Sequence, residues 1–113
     1  MKRLLLLLPL LLVAACQSPE PPKPTTKQVA TALLLQILEI QAQLDSLLAE
    51  ADASGDRCTN AYEMAAGMEM MAPKWRAIAV VKEAQGEVKE TMQAKSMADK
   101  VIADARKIRL SCR

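Results

Sequence analysis

The sequence predicts an all-α protein whose folded part is a three-helix, up-down-up bundle. After residue 27 the chain consists mainly of alanine, leucine, glutamine, glutamate, lysine and methionine, residue types that are common in helices. It has one tryptophan, one tyrosine and no phenylalanine. No alternation of apolar and polar residues with a period of two is sustained, so no strand is expected.

The first helix is predicted over residues 27–53. Thr25 and Gln28 have the spacing of a capping box, and the segment 54–56, Ser-Gly-Asp, supplies a stop signal. Apolar residues recur at alternating spacings of three and four, which is typical of a coiled-coil seam. The seam consists of Ala30, Leu33, Ile37, Ile40, Leu44, Leu47 and Ala51.

Further leucines make the first helix apolar beyond this one seam: Leu34, Leu35, Leu38 and Leu48. A helix with so wide an apolar surface is expected to touch more than one neighbour, either in its own bundle or in a second copy. Leu34, Leu35 and Leu38 are therefore candidate interaction residues.

Two more helices are predicted over residues 60–84 and 88–111. Asn60 and Glu63 form a looser capping box at the start of the second. An interior proline costs about 3 kcal/mol, yet the apolar spacing continues in phase through Pro73. We therefore expect a helix kinked at Pro73, not a reversal of the chain.

The two cysteines near the helix ends indicate where the chain reverses. A disulfide needs Cα atoms within about 7 Å, and a reversal at Pro73 would offset Cys58 from Cys112 by roughly 36 Å at ~1.5 Å per residue. A reversal at Gly86, close to the midpoint of the two cysteines, brings them together. The predicted bond joins Cys58 to Cys112. The alternatives are a bond between molecules and two free thiols.

The segment before the bundle has the features of a secretory leader. Lys2 and Arg3 precede an apolar run over residues 4–13, which is too short to span a bilayer but suits a signal peptide. The run Val13-Ala14-Ala15-Cys16 then resembles the lipobox of bacterial lipoproteins. This resemblance, which covers residues 1–16, implies that Cys16 is acylated and becomes the mature N-terminus. No cofactor other than this covalent lipid is expected.

The lipobox resemblance divides the chain into three parts. Residues 1–15 are the signal peptide, residues 16–26 hold the lipidated Cys16 and a proline-rich tether, and residues 27–113 are the helical domain. Several acyl chains hold a protein stably on a membrane. Gln17 follows the cysteine where an aspartate tends to retain enterobacterial lipoproteins in the inner membrane. The resemblance thus implies a periplasm-facing anchor in the outer membrane, and the inner membrane is the alternative. No later apolar run is expected to be long enough and uncharged enough to form a second membrane span.

The composition argues against nucleic-acid binding and against catalysis. Removing Lys2 and Arg3 with the leader reduces the 15 basic residues by two, which balances the 13 acidic residues. A neutral domain has no basic face to attract phosphates. The chain has no histidine and no nucleophile motif, so we expect no enzyme.

Methionines and the single tryptophan are the remaining candidates for a site. Met64, Met68 and Met71 lie within two turns, and their soft thioether sulfurs are suitable ligands for copper(I). Their positions on the seam favour a role in the core instead. Trp75 also falls on the seam and is expected in the core, although aromatic residues are favoured as interface anchors as well.

The sequence predicts a non-catalytic lipoprotein that binds another envelope protein or itself. Small lipoproteins of this general type include secretion-system pilots, plasmid or phage exclusion factors and outer spanin subunits of phage lysis. None of their specific motifs is present beyond the lipobox. A pilot or exclusion factor would have a folded domain with an exposed apolar groove, whereas a spanin would have little independent fold. The alternatives are a copper-binding protein and a self-associating structural lipoprotein.

Overall fold

The structure is a computed structural model that describes residues 25–113. Within this range the chain forms α1 (Thr26–Ser54), α2 (Ala61–Ala84) and α3 (Val88–Ser111), and no strand. The predicted all-α three-helix fold is confirmed, with each helix beginning and ending within one residue of its predicted bounds. The signal peptide, Cys16 and most of the tether lie outside the described residues.

Local signals in the sequence set most of the helix ends. Thr25 and Gln28 form the predicted capping box, in which the Gln28 amide nitrogen donates to Thr25 Oγ1 at 3.2 Å and the Thr25 amide donates to Gln28 Oε1 at 2.8 Å. Gly55 ends α1 in the left-handed conformation, with φ 77°. Gly86, with φ 73°, lies in the turn between α2 and α3. A glycine adopts positive φ without the steric cost that a Cβ atom imposes.

The predicted capping role of Asn60 is wrong. Asn60 is itself left-handed, with φ 63°, and its side chain makes no capping hydrogen bond to α2. Its Nδ2 donates instead to the Leu47 carbonyl at 3.3 Å and to Glu50 Oε2 at 2.8 Å. The Asn60 side chain thus makes a tertiary contact with α1, although the capping-box pattern of the sequence assigns it to the start of α2.

Helix α2 continues through Pro73, which lies inside it as the sequence predicts. The chain reverses after Ala84, and Cys58 and Cys112 consequently come together at the open end of the α2–α3 hairpin, opposite the turn. Their Cα atoms are 5.4 Å apart and their sulfurs 2.07 Å apart, as in a disulfide bond.

The core lies where α1 and α3 each pack against α2. Its buried members are Ile37, Ile40, Leu44, Met64, Met71, Ala72, Ile78, Ala79, Ala94 and Val101. Helix α2 contacts both of the other helices, but no Cα atom of α1 lies within 8 Å of one in α3. The bundle is therefore open along one side.

Helix α1 is long and apolar enough to cross a membrane by length and composition alone. The expectation that no segment after the leader qualifies is therefore wrong. Such a measure is weak evidence, since core helices also pass it, and Ile37, Ile40 and Leu44 of this helix are buried in the bundle core. Only a small share of its apolar stretch is buried, so much of its apolar surface lies outside the core.

Candidate interaction groove

An apolar groove runs between α1 and α3, with α2 as its floor. We call it the α1–α3 groove. Its larger cavity has a volume of about 580 Å³ and lies beside the first half of α1. The lining residues are Leu34, Trp75, Ile78, Lys82, Glu90, Gln93, Ala94, Ser96 and Met97. Leu34 comes from α1, and Glu90 to Met97 belong to α3.

A second cavity of about 260 Å³ continues the groove toward the end of α1. Met97 lines both cavities and joins them. The remaining lining residues of the second cavity are Gln41, Leu44, Asp45, Leu48, Met64, Met68, Met71, Lys100, Val101 and Asp104. A groove with an apolar floor between two helices has the form into which an amphipathic helix packs.

The three candidate leucines of α1 are exposed, and they differ in their position relative to the groove. Leu34 forms part of the groove wall. Leu38 lies one turn further along the same side of α1, and 62% of its surface is exposed. Leu35 is 61% exposed and lies further round the helix, away from the groove. The surplus apolar surface of α1 is thus not covered by the described part of its own chain.

Trp75 is half-buried at the floor of the groove, not fully inside the core as the sequence analysis expected. It packs against the core cluster and lines the larger cavity. Its Nε1 is buried and has no hydrogen-bond partner among the described residues. The indole therefore lies between the core and the open groove. Because Trp75 is the single tryptophan of the chain, its fluorescence is sensitive to changes in both places.

The three candidate methionines come together at the second cavity. Met64 and Met71 are buried and Met68 is partly buried, which agrees with a role in the core. Met97 of α3 joins them, so four thioether side chains line one cavity. The sequence alone does not connect Met97 with this cluster, because the packing of α3 against α2 sets their proximity.

Charged groups border the groove at both of its walls. Asp45 of α1 and Lys100 of α3 line the second cavity. The sequence alone assigns neither of them to a site, since each looks like an ordinary solvated residue on its own helix. The ion pairs in the described residues join Lys82, which lines the larger cavity, to Glu87 at 3.0 Å, and Arg109 to Glu69 at 2.6 Å.

No protein-family model matches this chain, and neither a curated protein nor a solved structure is similar to it. Among residues 25–113, no group of three or more histidine, cysteine, aspartate or glutamate side chains is arranged to hold a metal ion. What the groove offers is apolar surface with a charged border, which suits binding of a polypeptide.

Proposed function

We propose that the protein is a membrane-anchored, non-catalytic protein-interaction module of the bacterial cell envelope, and that the α1–α3 groove is its binding site. The observation that carries this proposal is the open side of the bundle, where Leu34, Trp75 and Met97 line a cavity of about 580 Å³. Monomeric proteins bury most such surface, and apolar patches bordered by polar groups mark interaction sites.

The resemblance of residues 13–16 to a lipobox supplies the anchor in this proposal. Lipidation at Cys16 would hold the domain at the membrane, periplasm-facing and in the outer membrane. The eight residues between Cys16 and Thr25, four of them prolines, would act as a semi-stiff tether of roughly 25 Å. A folded domain with one apolar groove fits a pilot or exclusion factor better than a spanin.

The experiment is a capture of the full lipidated chain from its native envelope, followed by mass spectrometry. We expect acyl mass on Cys16 and one dominant partner. The variant Leu34→Glu places a charge in the groove wall and should lose that partner, because burying an unpaired carboxylate is costly. The matched control is Val80→Glu, since Val80 is an exposed apolar residue of α2 outside the groove. Equal capture by both variants would argue against the groove, and an unlipidated chain would argue against the anchor.

A second candidate function, copper(I) binding, is supported by the convergence of Met64, Met68, Met71 and Met97 on one cavity. Thioether sulfurs are soft ligands that select copper(I). Titration of the full chain with copper(I) tests it. Binding in the micromolar range or tighter should disappear in Met64→Leu combined with Met68→Leu, and it should persist in Met92→Leu, because Met92 is exposed on α3 outside the cavity. No binding by the unmodified chain would exclude this function.

A further inference from the structure

We propose that α1 lies along the membrane that anchors the protein, with the side opposite its core seam in contact with the lipid. This contact uses a different surface from the α1–α3 groove, so it goes beyond the proposed function. It rests on the anchor of that function, since it requires the lipidated Cys16 to hold the domain at the bilayer.

The side of α1 that faces away from the bundle has no charged residue. With about 3.6 residues per turn, the positions opposite the core seam recur at spacings of three and four. On a helix of a water-soluble bundle this side is normally the charged one. Here all of its residues are exposed, and five of the eight are leucine or alanine. We call them the outer face of α1: Gln28, Thr31, Leu35, Leu38, Ala42, Ser46, Ala49 and Ala53.

The charged residues of α1 flank the outer face. Glu39 and Glu50 lie on one side of it, and Lys27, Asp45 and Asp52 lie on the other. At a bilayer these flanks are level with the headgroups while the outer face meets the acyl chains, as in other helices that lie in a membrane interface. Four of the five charges are acidic, so the contact depends on apolar surface and not on attraction to anionic lipid.

The bulkiest side chains of the outer face lie in the half of α1 that is nearest to the anchor. Leu35 and Leu38 are both more than half exposed, and residues 28–38 include no charge. Eight residues separate Cys16 from Thr25, so the tether keeps the start of α1 within roughly 25 Å of the lipid. An anchor this close raises the effective concentration of the outer face at the bilayer, so a modest apolar surface is sufficient for contact.

The packing of α1 argues against the other way of meeting a membrane, which is to cross it. Helix α1 is long and apolar enough to cross, but Ile37, Ile40 and Leu44 are buried in the core of the bundle. Crossing would remove these side chains from the core and place Glu39 and Asp45 in hydrocarbon, where charged groups are costly. A helix that lies along the surface keeps its core contacts and turns only the outer face to the lipid.

The flanking charges also favour lipid over a second copy of the chain. Two outer faces packed against each other would bring the acidic flanks of both copies together, and like charges across an interface oppose association. A bilayer made of zwitterionic lipid has no such conflict, because the flanking side chains remain in contact with water and headgroups. A second copy is therefore the alternative that the experiment has to distinguish.

Depth measurements with a spin label on the full lipidated chain test the proposal. With Cys16 acylated and Cys58 bonded to Cys112, an introduced cysteine is the only free thiol. The label is attached at Leu35→Cys, and Met70→Cys is the control, since Met70 is exposed on α2 and α2 packs on the side of α1 away from the lipid. In vesicles of phosphatidylcholine and phosphatidylethanolamine, oxygen reaches a label inside the bilayer, whereas a nickel chelate stays in water.

We expect the label at position 35 to lie roughly 5–10 Å inside the boundary between headgroups and acyl chains, and the label at position 70 to remain in water. Equal access of nickel to both positions would overturn the proposal, because the domain would then stand away from the bilayer on its tether. Shielding of position 35 from oxygen as well as from nickel would also overturn it, because protein, such as a second copy, would then cover the outer face.

Two adjacent substitutions test whether the outer face makes the contact. Ala42→Glu and Gln43→Glu add the same charge at neighbouring exposed residues, but only Ala42 belongs to the outer face. With the label at position 35, Ala42→Glu should lower the docked population by about tenfold, because a carboxylate is costly in apolar surroundings. Gln43→Glu should leave that population nearly unchanged. Equal effects of the two substitutions would overturn the proposal.

The failure of this proposal and that of the proposed function give different results. The intact mass of the purified chain shows whether Cys16 is acylated before any label is measured. If Cys16 is acylated but the label at position 35 stays in water, the anchor is retained and only the contact of α1 with the membrane is wrong. If Cys16 carries no acyl mass, the anchor and this contact are both wrong. Binding in the α1–α3 groove is measured separately, with Leu34→Glu.

Discussion

Gly67 of α2 lies directly against Leu44 of α1. A Cβ atom added at Gly67 would be 2.8 Å from Leu44 Cδ2 and 3.5 Å from Leu44 Cγ. Leu44 is buried, and the absence of a side chain at Gly67 lets the two helices approach closely at this point. This contact is part of what holds α1 on α2 while its other side remains open to the groove.

A leucine at position 67 should separate these two helices. We expect Gly67→Leu to lower the free energy of unfolding by about 1–3 kcal/mol, because extra carbon atoms in a packed interface force side chains and backbone to shift. Chemical denaturation of the full chain measures this change. Ala66→Leu is the control, since Ala66 is exposed on the same helix and should change the stability little. Equal stability of the two variants would contradict the close contact.

Removal of the disulfide should destabilise the hairpin of α2 and α3. Cys58 and Cys112 are separated by 54 residues, and closing a loop of that size contributes about 4 kcal/mol in the chain-entropy model. Thermal unfolding of Cys58→Ala combined with Cys112→Ala should show this loss. A reducing agent should give the unmodified chain the same stability as the double variant and leave the double variant unchanged. An unmodified chain insensitive to reduction would show that the bond is not formed.

Replacement of the proline inside α2 should stabilise the protein. Pro73 has no amide hydrogen and is exposed, so Pro73→Ala restores a helix hydrogen bond and should raise the free energy of unfolding by up to about 3 kcal/mol. Urea denaturation measures the change. A loss of stability would show instead that the packing of α2 around Trp75 requires the local geometry of the proline. Trp75 fluorescence separates the two cases, since only the second changes the surroundings of the indole.

The N-terminal cap of α1 should contribute less to the free energy of unfolding than the disulfide does. Thr25→Ala removes the side-chain acceptor for the Gln28 amide, and we expect a loss of about 1 kcal/mol. Thr26→Ala is the comparison, because Thr26 is already in the first turn of α1 and does not cap it, and its Oγ1 accepts an exposed hydrogen bond from Gln85 Nε2 at 3.2 Å. Differential scanning calorimetry of both variants measures the difference. If Thr26→Ala is the more destabilising change, the capping box does not set the start of this helix.

The sequence by itself determined the helices, their order and the pairing of the cysteines. These features follow from local signals and simple geometry: the apolar spacing that continues through Pro73, the box at Thr25 and Gln28, the glycine at position 86, and the fixed rise of a helix, which lets Cys58 meet Cys112 after only one choice of turn. Such signals lie within a few residues of one another or depend only on distance along a helix.

Only the tertiary structure decided how completely the three helices enclose one another. A seam of apolar residues predicts that a helix packs, but it does not specify the rotation and spacing at which its neighbours pack. That choice leaves α1 and α3 apart, exposes Leu34, and brings Met97 to the other three methionines. It also draws Asn60 to α1, because the Leu47 carbonyl and the Glu50 carboxylate, distant in sequence, offer its amide better partners than the helix it precedes.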